Sequence, residues 1–208
     1  MHRVGFFTLI ILFFSQVIKA HPVAFKGAVS FMTNNMRNLT ENTLIYSPTF
    51  DWGLGIKHVS QGVERNRWTN IHIGYLVKRW NRFDSQGNLY FFGGPGVYEE
   101  EKGKFSYFTR LGFQADWETR FFYTMLRYSA GQFSYRVLEQ YNARVGLAPF
   151  LAGYNELNIW AILQFQHVPQ RNRETMITPL IRMFYKNVLW EAGSSLSGDW
   201  LFNFMVRY

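Results

Sequence analysis

The chain has 208 residues, a formal net charge of +8 and no cysteine, and aromatic residues make up 19% of it. The absence of cysteine excludes disulfides, zinc–thiolate centres, thiol nucleophiles and iron–sulfur clusters. The aromatic content excludes a disordered chain. No apolar run reaches the length of about 20 residues that a membrane-spanning helix takes.

Met1-His2-Arg3 is a short positive start, followed over 4–14 by apolar residues broken only by Gly5 and Thr8. Ile18-Lys19-Ala20 then offers a cleavage site. The expectation is an export signal over 1–20, with His21 as the mature N-terminus and 21–208 as a single domain. Without the signal, 20 basic residues stand against 14 acidic ones.

The remainder alternates with the period of strands. Val23, Phe25, Gly27, Val29 and Phe31 predict a first strand, and 33–42 reads as a polar loop. Over 44–57, Leu44, Tyr46, Phe50, Trp52, Leu54 and Ile56 share one face, with Ser47, Asp51, Gly53, Gly55 and Lys57 on the other. In 70–78, Ile71, Ile73, Tyr75 and Val77 oppose Asn70, His72, Gly74 and Lys78. A weaker strand over 89–98 is interrupted by Gly93-Gly94-Pro95-Gly96, which lacks the following Lys-Ser/Thr of a phosphate loop and so predicts a bend or bulge. The strand over 106–117 carries Arg110, Gln114 and Asp116 on its polar face, whereas 121–128 is aromatic on both faces. Further strands are read over 137–151, with Arg144 on the polar face, over 157–167, over 177–186 with Arg182, and over 188–196 with Glu191; Lys186-Asn187 is a tight turn between the last two.

The last stretch sets Trp200, Phe202, Phe204, Val206 and Tyr208 on one face and Leu201, Asn203, Met205 and Arg207 on the other. It resembles the terminal strand by which bacterial outer-membrane β-barrel proteins are recognised for insertion. That resemblance implies a cell outer-membrane location and the barrel-assembly machinery as a partner during insertion. The fold expected is all-β, an antiparallel up-and-down transmembrane β-barrel. Eleven strands are recognised, and because single-chain bacterial barrels take an even number, ten or twelve are expected. The count is open at 89–98 and 121–138. A soluble periplasmic barrel shares the alternation but inverts it. The glycines and serines on the polar faces (Gly53, Gly55, Gly74, Gly112, Gly146, Ser47, Ser106) favour a lumen over a solvated surface.

The predicted inner faces carry Lys26, Lys57, Lys78, Arg110, Arg144, Arg182, Lys186 and Arg207 against Asp51, Asp116 and Glu191. A basic lumen of this kind suits a narrow channel favouring anionic solutes, or an interior ion-pair network filling a structural or binding protein. His72 with Ser47 or Ser106 and Asp51 or Asp116 can be assembled into a hydrolase-like set, which keeps an outer-membrane lipid-modifying enzyme as the alternative. No specific motif supports that set, and a non-enzymatic role is expected. The histidines show no metal-ligand spacing, so neither a metal nor another cofactor is expected. The basic residues form no nucleic-acid motif. Arg65, Arg67, Arg171 and Arg173 are candidates for contact with outer-membrane lipid or lipopolysaccharide.

Overall fold

The computed structural model of the protein describes residues 23–62, 66–99, 103–133, 136–153, 155–170 and 174–208. Among these are twelve strands: β1 (Val29–Met36), β2 (Leu39–Tyr46), β3 (Trp52–Gln61), β4 (Arg67–Asn81), β5 (Ser85–Glu99), β6 (Phe105–Thr119), β7 (Phe122–Phe133), β8 (Arg136–Leu147), β9 (Asn158–His167), β10 (Met176–Tyr185), β11 (Val188–Ser194) and β12 (Trp200–Arg207). Each pairs with its sequence neighbours, and β12 pairs antiparallel with β1 from Ser30↔Arg207 to Met36↔Leu201, so the sheet closes into a barrel. The expected up-and-down barrel is the observed fold, with twelve strands rather than ten. The expected signal over 1–20, His21, Arg65, Arg171 and Arg173 lie outside the described residues.

The strand absent from the sequence reading is not at 89–98 or 121–138. It lies inside 44–57, which is two strands joined by a turn over 47–51. Leu44 and Tyr46 on β2 and Trp52, Leu54 and Ile56 on β3 all face outward, so the alternation runs unbroken through the turn and conceals it. The turn is made by Thr49, whose Oγ1 accepts hydrogen bonds from the amides of Asp51 and Trp52. The polar stretch 33–42, expected as a loop, is instead the hairpin of β1 and β2. Its residues are polar because they face the lumen or lie near the rim, not because they leave the sheet.

The glycine run lies within one continuous strand, β5. It is neither a phosphate loop nor a break. A Cβ on Gly94 would collide with the carbonyl oxygen of Ile71 on β4, so the close approach of the two backbones requires glycine there. The register irregularity in this hairpin falls instead between Leu76 and Lys78 of β4.

Outward positions are apolar and exposed, including Leu44, Ile56, Ile71, Leu111, Leu126, Leu147 and Ile181. Inward positions hold many buried polar or charged residues, among them Lys57, His72, Asn88, Asp116, Gln164, Arg182 and Glu191, beside apolar ones such as Tyr90 and Ile162. A soluble barrel has the reverse pattern. Hydrocarbon outside rewards this arrangement, and closure leaves no unpaired strand edge in a medium without water. No helix among the described residues is long and apolar enough to cross a membrane; the crossing is made by strands.

Candidate functional site

Antiparallel register puts inward side chains of successive strands beside one another, so the interior is organised along lines of cross-strand neighbours. One line runs Trp160, Arg182, Glu191, Asn203, Asn34, Glu41, Val59 across β9, β10, β11, β12, β1, β2 and β3. A second runs Arg79, Asn88, Asp116, Met125, Arg144, Gln164, Thr178 across β4 to β10. A third, Tyr90, Gln114, Arg127, Asn142, Gln166, lies beside it and carries no carboxylate.

Three networks follow from these lines. Glu191 accepts from Arg182 Nε at 2.6 Å, from Arg144 Nη1 at 3.0 and 3.2 Å, and from Asn203 Nδ2 at 2.6 Å. Glu41 accepts from Lys57 Nζ at 2.7 Å and Asn34 Nδ2 at 3.1 Å, with Arg110 Nη1 4.0 Å away. Asp116 accepts from Asn88 Nδ2 at 2.7 Å and Gln114 Nε2 at 3.1 Å, and Arg79 Nε donates to Asn88 Oδ1 at 2.7 Å. Removing ions from water is costly, and these multiple charge-assisted bonds are what allow them inside a narrow barrel.

Among the described residues, seven cations (Lys57, Arg79, Arg110, Arg127, Arg144, Arg182, Arg207) share the inner face with four carboxylates, Glu41, Asp116, Glu191 and, near the rim, Glu118. The interior is therefore net positive. It is also unevenly filled. The side chains of Lys57, Arg182 and Glu191 are 3–5% exposed, whereas Arg110, Arg144 and Glu41 retain 13, 15 and 16%. An apolar band of Tyr123, Ile162, Leu180 and Leu201 follows another register line, and a second cluster of Val23, Leu76 and Tyr90 packs near the end that carries the first described residues. Arg110 on β6, Arg144 on β8 and Glu41 on β2 are thus the more accessible members of these networks, and Lys57, Arg182 and Glu191 the more enclosed.

Of the residues singled out in the sequence, Lys57, His72, Arg110, Asp116, Arg144, Arg182, Glu191 and Arg207 lie on the inner face. Asp51 does not: it stands exposed in the turn before β3, where its carbonyl accepts from the Leu76 amide. Lys78 does not either. The irregularity after Leu76 reverses the facing, pairs Lys78 with outward Leu89 and sends Arg79 inward beside Asn88. Lys26 and Lys186 belong to turns. Trp200, Phe202, Phe204, Val206 and Tyr208 stay on the outward side, and β12 closes the sheet with β1.

Three functional candidates were not recognised in the sequence. Glu41 was hidden in the stretch taken for a loop, though Leu39, Glu41, Thr43 and Ile45 alternate with Thr40, Asn42, Leu44 and Tyr46. Arg127 was hidden by aromatics on both faces of β7, and Arg79 by the irregularity. Of the hydrolase-like candidates, Ser47 Oγ accepts from the Ala24 amide at 3.1 Å, Asp51 is exposed in a turn, Asp116 accepts from Asn88 and Gln114, and His72 sits against the Phe92 ring at 6.0 Å. Grooves of about 530 and 620 Å³ are lined mainly by outward side chains such as Phe113, Tyr141 and Phe165 or Leu147, Leu163 and Ile181.

A closed antiparallel barrel, apolar outside and ion-paired inside, defines the class of outer-membrane β-barrel proteins. Among solved structures, the chain is similar to a KdgM porin in complex with disordered oligogalacturonate, with a TM-score of 0.53 and 14% identity over 87% of this chain and 98% of that one. A further similar structure is described as KdgM porin, with a TM-score of 0.49 and 16% identity over 87% of this chain and 98% of that one. At these identities the likeness is one of fold. No family model and no curated protein matches the chain.

Proposed function

We propose that this chain is a non-enzymatic outer-membrane barrel that acts as a narrow passage favouring small anionic solutes. The observation that carries the reading is the interior charge: among the described residues, seven cations against four carboxylates inside a closed barrel, with Arg110 and Arg144 partly exposed. Cations held on a low-dielectric wall raise the local concentration of anions and lower the barrier to their entry. The solved porin with an oligogalacturonate, itself a polyanion, supports anions as the solutes to test. On this reading the outer surface contacts membrane lipid and lipopolysaccharide, with Arg67 at the start of β4 one such contact, and the assembly machinery acts during insertion.

The test is a planar-bilayer recording across a potassium chloride gradient. Residues 21–208, refolded in detergent and showing a gel mobility that shifts on boiling, should give a small conductance with a reversal potential on the anion-selective side. Arg110→Ala and Arg144→Ala should each move that potential toward zero. A cation-selective current, or a selectivity indifferent to both substitutions, defeats the proposal. A silent bilayer with a correctly folded barrel leaves a binding or structural protein as the better reading.

A further inference from the structure

Arg127 differs from every other inward cation with which it shares the accessible part of the lumen. Lys57 is joined to Glu41, Arg182 and Arg144 to Glu191, and Arg110 donates to Ser129 Oγ at 3.0 Å and Gln140 Oε1 at 3.5 Å. The Arg127 guanidinium donates no hydrogen bond to any described residue, and its Cζ lies 4.5 Å from the centroid of the Phe92 ring. The register explains the isolation. Its cross-strand neighbours are Gln114, whose Nε2 donates to Asp116 Oδ2, and Asn142, whose Oδ1 is buried without a hydrogen-bond partner among the described residues, so neither neighbour brings Arg127 a carboxylate.

Its surroundings are cationic. Arg110 reaches Ser129, two residues from Arg127 on the same inward face, and Arg144 is two residues from Asn142 on the neighbouring strand. This part of the lumen holds Lys57, Arg110, Arg127, Arg144 and Arg182 against Glu41, Asp116 and Glu191, a local excess of two positive charges among the described residues. Like charges brought together in a narrow lumen repel, and five free N–H donors invite an acceptor. Guanidinium is a planar fork that matches two oxygens of one anion, which a spherical halide cannot supply.

We propose that Arg127, flanked by Arg110 and Arg144, is a binding site for a small multiply charged oxyanion, a phosphate or a polycarboxylate. The cation–π contact with Phe92 holds the guanidinium without using any of its N–H donors. The partly exposed Arg110 and Arg144 supply the remaining positive field. This rests on the reading of the lumen as an anion path but does not depend on the path being open.

The experiment is titration calorimetry of the refolded barrel with inorganic phosphate and, separately, with citrate, in about 0.1 M chloride, where exposed charges are screened beyond ~10 Å. Saturable binding of at least one is expected, and comparison of the two distinguishes phosphate from polycarboxylate as the preferred chemistry. Arg127→Ala should weaken it about tenfold or more, as loss of charge-assisted bonds implies. Arg127→Lys keeps the charge without the fork and should recover only part. Arg37→Ala, at an exposed arginine that pairs with Asp199 outside the inner face, should leave binding unchanged, and the boiling-shift gel confirms that each variant is folded. No binding of either anion, or equal binding by wild type and Arg127→Ala, overturns the site while leaving anion-selective conductance untouched. Saturable, Arg127-dependent binding in a barrel that passes no current upholds the site and removes the channel.

Discussion

Residue by residue, the interior distinguishes ion pairs that hold the barrel from those that decorate it. Glu191 is 3% exposed and is shared by two guanidiniums and an amide, so Glu191→Leu leaves Arg182 and Arg144 without their counter-charge in a buried setting. A loss of about 3–5 kcal/mol in unfolding free energy is expected from denaturant titration in lipid. Arg37 and Asp199 also lie within 3.5 Å, but at 63% and 38% exposure, and Arg37→Ala should cost under about 1 kcal/mol in the same assay. Equal costs for the two substitutions would mean that burial does not govern these pairs. None of the three networks could be read from the chain. Asp116, Arg144, Arg182 and Glu191 were recognisable as inward by alternation, but which cation faces which carboxylate depends on the pairing of strands far apart in sequence.

Among the elements, the β4–β5 hairpin shows how backbone proximity constrains residue choice. Gly94 lies where a Cβ meets the Ile71 carbonyl, and Gly112 where a Cβ meets the Phe92 ring. Gly94→Ala must push β5 off β4, an overpacking cost of roughly 1–3 kcal/mol that the same unfolding assay would register. Gly103, with a φ of +71° and open space around its Cβ position, offers a contrast: alanine there meets no neighbour and is opposed only by its backbone conformation. Greater damage at Gly103 than at Gly94 would show that turn conformation outweighs strand packing. The irregularity after Leu76 belongs to this scale too. It exchanges Lys78 for Arg79 on the inner face, a reversal that strict alternation cannot anticipate because every residue beyond the irregularity changes side.

At the scale of the molecule, the barrel depends on its two surfaces having opposite solvents. Leu126, in the middle of β7 and 59% exposed, faces hydrocarbon, and Leu126→Arg should lower stability by about 2–4 kcal/mol in a bilayer. In a detergent micelle, where an arginine side chain reaches water more easily, the loss should shrink. An unchanged stability in both media would contradict the assignment of the outer face to lipid. Removing β12 should prevent closure altogether, since β1 and β11 would each present an unpaired edge. Loss of the boiling-dependent mobility shift would report it.

Two signals in the chain were sufficient to specify the fold class: period-2 alternation, which survives in any register, and the aromatic strand at 200–208. The twelfth strand escaped because an outward face continued in phase across the 47–51 turn, so local periodicity could not separate one long strand from two short ones. The inner face was legible where alternation was regular, at Lys57, His72, Arg110, Asp116, Arg144, Arg182 and Glu191. It was illegible at Asp51, which lies in the concealed turn, and at Lys78, beyond the irregularity. Only the closed sheet decided that Glu41 meets Lys57, that Glu191 gathers two arginines, and that Arg127 has no carboxylate as a cross-strand neighbour. The physical reason is that alternation is a property of each strand alone, whereas cross-strand register, and with it every interior partnership, exists only once the strands are paired into a ring.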